Sequence, residues 1–301
     1  MLRNSILLFA VSLAWASEYQ FISEADRALP PTTVAACTTL VAALVMLFIV
    51  GVVMHRPIAS TFRARPEVPL VMAVIAVVVP KLSVVIAEDS ITADLASLVG
   101  TTVPVLTFLI TVFITRQAEY SHLRMAGVFA AFLGMLIFVG IDDLAAHKNE
   151  ITGALIMMSG GVAFAINGIF SSLRAQDLDQ YALTTLVLVF GGTGLGVAAL
   201  LVDGLPPEVP DIEVLASITG SGVLAMGLAY LGYYLLIADS SAYFASFYAY
   251  LVPPLGLLTG VFFLDESPTI NHILGVGVTL LGLWLLTRSA PGKKTAREDF
   301  M

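Results

Sequence analysis

The sequence has few charged residues. Charged side chains make up 12% of the 301 residues and hydrophobic ones 58%, whereas an ordinary soluble domain carries roughly 25% charged residues. A chain with so little polar surface cannot cover a water-soluble globule of this size, so the composition excludes a soluble catalytic domain. It indicates an integral membrane protein.

Cysteine and histidine are also scarce. Cys37 is the single cysteine, which excludes an intrachain disulfide and a cysteine-based metal cluster. The sequence has no Walker-type glycine loop for ATP, and its formal net charge of −8 argues against a nucleic-acid partner. We expect no metal site, no cofactor and no catalytic residues, because the four histidines lie at the edges of apolar runs, at His55, His122, His147 and His272.

Long hydrophobic runs separated by short polar breaks predict an all-α membrane fold of ten transmembrane helices. A helical span needs about 20 apolar residues, and the runs lack the period-2 alternation of a membrane β-barrel. The predicted spans are residues 4–24, 32–53, 68–88, 91–115, 122–140, 151–172, 181–202, 212–237, 240–263 and 270–288.

The cations lie unevenly between alternate loops. With the N-terminus in the cytosol, 11 of the 14 Lys and Arg residues lie on the cytosolic side. Arg27 and Lys148 lie outside, and Lys81 lies within a span. The positive-inside rule therefore predicts a multi-pass protein of the cytoplasmic (inner) membrane with both termini in the cytosol. Residues 289–301 are then a short basic cytosolic tail.

The chain also matches itself at a nearly constant offset. The matches predict two copies of a five-helix unit, residues 4–140 and 151–288. Because five is an odd number of spans, the second copy must be inverted in the membrane, an arrangement that recurs in secondary transporters. At an offset of 149, Ala14-Trp15-Ala16 aligns with Ala163-Phe164-Ala165, Ala96-Ser97 with Ala245-Ser246 and Val103-Pro104 with Val252-Pro253; at 148, Gly127 and Gly134 align with Gly275 and Gly282.

The repeat also bears on the first helix. Arg3, the apolar run 6–13 and Ala14-Trp15-Ala16 have the pattern of a signal peptide with its cleavage site. Residues 12–23 nevertheless have a counterpart in mid-chain, so we expect the first helix to be retained.

These motifs resemble the drug/metabolite transporter superfamily, EamA type. The resemblance covers residues 4–288 and implies ten helices in two repeats and the transport of small organic molecules. Its motifs are specific for the fold and say little about the substrate. This chain departs from the family pattern at Glu18, where a small neutral polar residue is common, and at Lys81, where lysine is unusual. The clearest matching stretches are Gly227-Leu-Ala-Tyr-Leu-Gly-Tyr-Tyr234, Ala245-Ser246, Val252-Pro253-Pro254 and Leu264-Asp265-Glu266.

Glu18 and Lys81 are the two ionisable residues at membrane depth, where charge is expensive and usually functional. At about 1.5 Å rise per residue, they lie about 21 Å and about 20 Å from the cytosolic starts of their spans. If they face one cavity, they can neutralise each other or hold the two ends of a zwitterion. The alternatives are a pair that only satisfies itself and a lysine that reaches the outer headgroups. Pro80 should free the carbonyl of Ala76 as an acceptor beside this site.

Aromatic and amide side chains supply the other candidate binding residues. In the repeat register Asn167 corresponds to Glu18 and Tyr230 to Lys81, so both halves can contribute to one site. Core packing is the alternative for the aromatic residues, and a static kink is the alternative for the prolines. The predicted substrate-binding residues are Glu18, Lys81, Tyr19, Asn167, Tyr230, Tyr234 and Tyr248, and the predicted hinge or kink residues are Pro80, Pro104, Pro253 and Pro254.

The sequence thus predicts a secondary active transporter, an exporter of a small metabolite such as an amino acid or a related amphiphile. We expect its partners to be the small-molecule substrate, the lipid bilayer and protons as coupling ions, and its state to be a monomer or weak homodimer. A channel-like facilitator and a non-transporting membrane sensor are the alternative functions.

Overall fold

The computed structural model describes residues 2–88, 90–91, 93–116, 121–140, 151–205, 210–263 and 268–288. These residues form helices joined by short connections and contain no β-strand. The predicted all-helical class is confirmed for this part of the chain.

Eight helices are long and apolar enough to cross a membrane. We number them α1 (Leu2–Ala25), α2 (Pro31–Val53), α3 (Glu67–Ala87), α4 (Leu95–Ile114), α5 (His122–Val139), α6 (Ile151–Arg174), α7 (Gln180–Val202) and α8 (Ile212–Asp239). Two shorter apolar helices follow, α9 (Ala242–Leu258) and α10 (Ile270–Leu286), and a small helix, Ile58–Ala64, lies between α2 and α3.

Two of the predicted spans are interrupted. In α9 the α-helix stops after Ala245 and resumes at Tyr248, because Ala249 N and Tyr250 N bond to carbonyls three residues back, those of Ser246 and Phe247 (both 3.1 Å). The backbone of α4 likewise has a turn at Thr101, whose N–H is shared between Leu98 O at 3.1 Å and Ser97 O at 3.3 Å. Such i→i−3 bonds tighten a turn and end the α-helical ladder.

Several threonine hydroxyl groups inside the spans bond to carbonyls of their own helix. Thr38 Oγ1 donates to Val34 O in α2 at 2.9 Å, and Thr184 Oγ1 donates to Gln180 O in α7 at 2.7 Å. A buried hydroxyl in an apolar medium needs such a partner. These two threonines therefore need no partner from another helix, whereas Thr279 Oγ1 of α10 donates to Ala131 O of α5 at 3.4 Å.

The helices of residues 2–140 and those of residues 151–288 make equivalent contacts. α2 packs against α7 and α5 against α10; α3 packs against α6, and α1 against α8; α4 packs against α6, and α9 against α1. When each helix is replaced by its counterpart in the other half (α1 by α6, α2 by α7 and so on), the same set of contacts results.

Two of the four π-helical segments that the structure describes lie at equivalent positions of the two halves. The segments Ala73–Val78 in α3 and Gly222–Leu228 in α8 are both π-helical, and their first residues lie 149 positions apart in the sequence. π-Turns are rare and are frequent at functional sites. Each faces a helix of the other half, since Val77 lies against Gly191 of α7 and Gly222 lies against Thr38 of α2.

Glycines bring α5 and α10 into backbone contact. A Cβ atom added at Gly275 would lie 2.5 Å from Phe138 N, and one added at Gly282 would lie 2.4 Å from Ala131 N. On α5, a Cβ atom at Gly134 would lie 2.5 Å from Thr279 N. This interface can form only where side chains are absent, as in other tightly packed membrane helices.

The glycine interface predicts that Gly275→Ala destabilises the protein. Its added methyl group meets backbone atoms that cannot rotate away, and overpacking of this kind costs about 1–3 kcal/mol. Gly277→Ala on the same helix is the matched control, because a Cβ atom there has nothing within 4 Å. Thermal unfolding followed by circular dichroism in detergent should show a lower Tm for the first variant only. Equal Tm values would contradict the described packing of α5 on α10.

Candidate functional site

Glu18 of α1 and Lys81 of α3 form an ion pair inside the helix bundle. Lys81 Nζ donates to Glu18 Oε1 at 2.5 Å, and the two side chains are 18% and 16% exposed, respectively. Each of the other ion pairs between described side chains has at least one partner more than a third exposed. The structure therefore brings together the two residues that the sequence placed at one depth.

The pair is neutral as a whole. An isolated charge within a membrane bundle is expensive, whereas paired charges compensate each other. Removing either partner would leave the charge of the other uncompensated in a poorly solvated place. Glu18 and Lys81 are thus interdependent, and any ligand that separates them must supply replacement charges.

Trp15 joins this ion pair to a group of aromatic rings. It lies three residues before Glu18 in α1, so the two side chains are neighbours on one face of the helix. Its ring centroid lies 4.2 Å from that of Tyr248, 5.8 Å from that of Tyr230 and 6.0 Å from that of Phe164. We call Trp15, Phe164, Tyr230, Tyr233, Tyr234 and Tyr248 the aromatic cluster; their centroids form a continuous series of contacts between 4.2 and 6.3 Å.

Sequence reasoning missed Trp15 as a site residue. Trp15 served there only as a marker of the repeat, in which it aligns with Phe164. Two signals could have identified it: its spacing of three residues from Glu18 and the aromatic character of its counterpart. In the structure Trp15 and Phe164 are edge-to-face neighbours.

The kink at Pro80 supplies an acceptor that Tyr230 uses. Proline lacks the N–H that would bond to the carbonyl four residues earlier, and that carbonyl belongs to Ala76 in the π-helical segment of α3. Tyr230 Oη donates to Ala76 O at 2.8 Å, and the tyrosine is 4% exposed. The bond connects α8 to α3 five residues before Lys81.

Asn167 of α6 bonds to Tyr234 rather than to Tyr230. Tyr234 Oη donates to Asn167 Oδ1 at 3.3 Å, and both residues are fully buried. Asn167 Nδ2 is buried without a partner among the described residues. The repeat register aligns Asn167 and Tyr230 with the ion pair, but the contact that forms uses the tyrosine one helical turn further on.

The remaining predicted residues lie on α1, α4 and α9. Tyr248 is half-buried against Trp15, whereas the side chain of Tyr19, in α1, lies outside the described part of the structure. Pro104 follows the turn in α4 by three residues, and Pro253 and Pro254 lie inside the helical segment Tyr248–Phe263. Their role as hinges stays a prediction.

Three ion pairs near helix ends join the two halves of the chain. Arg56 Nη1 lies 3.1 Å from Asp179 Oδ2, and its guanidinium lies over the ring of Tyr181. Asp179 also caps α7 by accepting from two backbone N–H groups. The other two pairs are Arg65–Asp177, at 2.7 Å, and Arg3–Asp239.

Known proteins place this architecture in a class of membrane transporters. The model of the EamA-like transporter family matches residues 3–140 and 151–288. The protein is thus a multi-pass membrane transporter, and the chain belongs to the EamA-like transporter family. The resemblance to the drug/metabolite transporter superfamily is confirmed, and the family indicates transport rather than catalysis.

Curated proteins that are similar to this chain are named transporters, and the similarity extends over most of their length. An "Uncharacterized transporter" of Archaeoglobus fulgidus is 25% identical over 288 residues, covering 95% of this chain and 99% of the relative. The "Uncharacterized inner membrane transporter YedA" of Escherichia coli K12 is 21% identical and covers 93% and 89% of the two chains. A solved crystal structure shares the fold, with a TM-score of 0.80 at 16% identity over 95% of this chain and 98% of that chain.

The ion pair predicts unequal effects of single and double substitutions. Lys81→Gln alone should lower the free energy of unfolding. Loss of an exposed ion pair costs roughly 1 kcal/mol and loss of one partner of a fully buried pair roughly 3–5 kcal/mol, and we expect a value between these two. The double variant Glu18→Gln/Lys81→Gln should recover most of that loss, because no uncompensated charge remains. Thermal unfolding in detergent measures both. A double variant less stable than the single one would contradict mutual compensation.

Proposed function

We propose that the protein is a secondary active transporter that exports a small organic metabolite, such as an amino acid or a related amphiphile, across the cytoplasmic membrane. The supporting observation is the ion pair of Glu18 with Lys81 beside the aromatic cluster, which contains residues from both halves of the chain. Charged groups for a polar end next to rings for an apolar end are suited to an amphiphilic ligand.

The architecture proposed for this transport is ten spans in two inverted repeats, residues 4–140 and 151–288. Both termini and the tail 289–301 are then cytosolic. Three observations support the repeat. The family model matches the two halves separately, and the helix contacts described above are unchanged when each helix is replaced by its counterpart in the other half. The π-turns of α3 and α8 begin 149 residues apart. Inverted repeats that exchange conformations open a central site to each side in turn.

In the binding step, Lys81 holds an anionic group of the substrate and Glu18 holds an ammonium group or carries a coupling proton. Trp15, Tyr230, Tyr234 and Tyr248 hold the apolar part. Trp15 and Tyr248 suit direct contact because both are partly accessible. Tyr19 and Asn167 complete the proposed set, Asn167 through its unpartnered amide nitrogen.

In the conformational step, α2 and α7 serve as a frame. Polar contacts join them at both ends, Arg56 with Asp179 and Thr33 Oγ1 with Asp203 Oδ2 at 2.7 Å. The pairs Arg3–Asp239 and Arg65–Asp177 lie on the proposed cytosolic side and are more exposed. Exposed pairs contribute little stability, so water can replace them when this side opens. Pro104, Pro253 and Pro254 are the proposed hinges.

Glu18 provides the first test of the mechanism. In proteoliposomes, Glu18→Gln should lose coupled flux of a substrate identified by a ligand-stabilisation screen, since the amide carries neither a negative charge nor a transferable proton. Uptake of labelled substrate under an imposed pH gradient measures this, with Glu24→Gln near the end of α1 as the control. Wild-type flux and pH response in Glu18→Gln would remove Glu18 from the mechanism.

The proposed orientation predicts which loops are accessible from outside. In a Cys37→Ala background, Ser90→Cys should react with a membrane-impermeant maleimide on intact cells, and Ser60→Cys should react only after permeabilisation. Both serines are exposed, so burial does not explain a difference. The reverse pattern would invert the topology, and reaction of both variants on intact cells would contradict the alternation of loops.

A further inference from the structure

We infer that the Glu18–Lys81 pair makes the transporter selective for α-zwitterions, molecules whose ammonium and carboxylate groups share one carbon atom. The inference rests on the proposed function and adds the substrate's charge and charge spacing. We further infer that Lys81 selects for the carboxylate and Glu18 selects for the ammonium group.

The first step is the charge balance of the bundle interior. Among the described side chains of α1–α10, Glu18 and Lys81 are the charged ones that lie more than one helical turn from a helix end. They contact each other at 2.5 Å and sum to zero charge. Without a substrate, the site is therefore neutral, because Glu18 and Lys81 pair with each other.

The second step is what a ligand must do to enter. A carboxylate that bound Lys81 alone would free Glu18 as an uncompensated anion in a poorly solvated place, and an amine that bound Glu18 alone would free Lys81. A zwitterion replaces both partners at once, because its carboxylate takes Lys81 and its ammonium takes Glu18. Neutrality is kept through the exchange.

The third step is charge spacing. Lys81 Nζ and Glu18 Oε1 are in direct contact. A ligand whose two charged groups are close together can therefore replace this contact with the smallest separation of α1 and α3. An α-amino carboxylate does this. A chain with the same two groups at opposite ends would require α1 and α3 to separate by several more ångströms.

The fourth step places the rest of the ligand. Trp15 lies next to Glu18 on one face of α1, and the partly accessible ring of Tyr248 lies 4.2 Å from it. An apolar substituent on the α-carbon would contact this pair of rings, which favours aliphatic and aromatic side chains over polar ones.

The test uses Trp15 as a reporter of binding. The chain has two tryptophans, and Trp284 on α10 is 48% exposed, so a Trp284→Phe protein carries Trp15 as its sole tryptophan. Its fluorescence is titrated with L-leucine, with 4-methylpentanoate, which lacks the amine, and with 3-methylbutylamine, which lacks the carboxylate. The isomer 6-aminohexanoate tests charge spacing, and L-phenylalanine, 3-phenylpropanoate and 2-phenylethylamine form a second series.

At least one of the two α-amino acids should bind at least tenfold more tightly than its acid and its amine, and leucine more tightly than 6-aminohexanoate. In the same background, Glu18→Gln should reverse the order in favour of the acid, and Lys81→Gln should reverse it in favour of the amine. The exchange variant Glu18→Lys/Lys81→Glu stays neutral and should keep the preference for the zwitterion. This variant keeps the test valid if a single substitution impairs folding.

Acids or amines that bind the unsubstituted pair as tightly as both amino acids would overturn the inference, as would unchanged orders in both single variants. Absence of binding by either amino acid would also overturn it. Failure of the proposed function has a different signature, namely a ligand that binds in this assay but shows no flux into proteoliposomes. Flux of a compound that is not an α-zwitterion would leave the proposed function intact and refute the charge selectivity.

Discussion

The ion pair between Glu18 and Lys81 is the interaction around which the site is organised. A bundle of apolar helices can hold two charges in its interior only if each compensates the other. The contact connects α1 with α3, and Trp15, three residues before Glu18 in α1, lies among the aromatic rings. In the proposed function, a ligand that brings both charges can replace this contact without leaving an uncompensated charge.

The two halves of the chain pack against each other through equivalent contacts. Contacts between α2 and α7 and between α5 and α10 cross from one half to the other and are mapped onto themselves when the halves are exchanged. Glycine permits backbone contact in the second of these interfaces. The ion pair and the aromatic cluster lie on other helices, namely α1, α3, α6, α8 and α9, so these two interfaces contain no residue of either group.

Much of this arrangement could be predicted from the sequence, because it depends on length and spacing. Apolar runs predict helices, residue counting places Glu18 and Lys81 at one depth, and Pro80 identifies the free carbonyl of Ala76. The rest depends on helix rotation and packing. The bond of Asn167 to Tyr234 instead of Tyr230, the central position of Trp15 and the turn that interrupts α9 follow from which faces meet, and a single sequence of apolar residues does not specify these.

Counterflow tests the central claim of alternating access most directly. Proteoliposomes loaded with unlabelled substrate are diluted into a trace of the labelled compound, and transient accumulation is followed. A transporter whose site faces one side at a time should concentrate the label above equilibrium, and the accumulation should saturate with substrate concentration. Label that only equilibrates, at a rate proportional to concentration, would contradict the account and identify a channel-like facilitator.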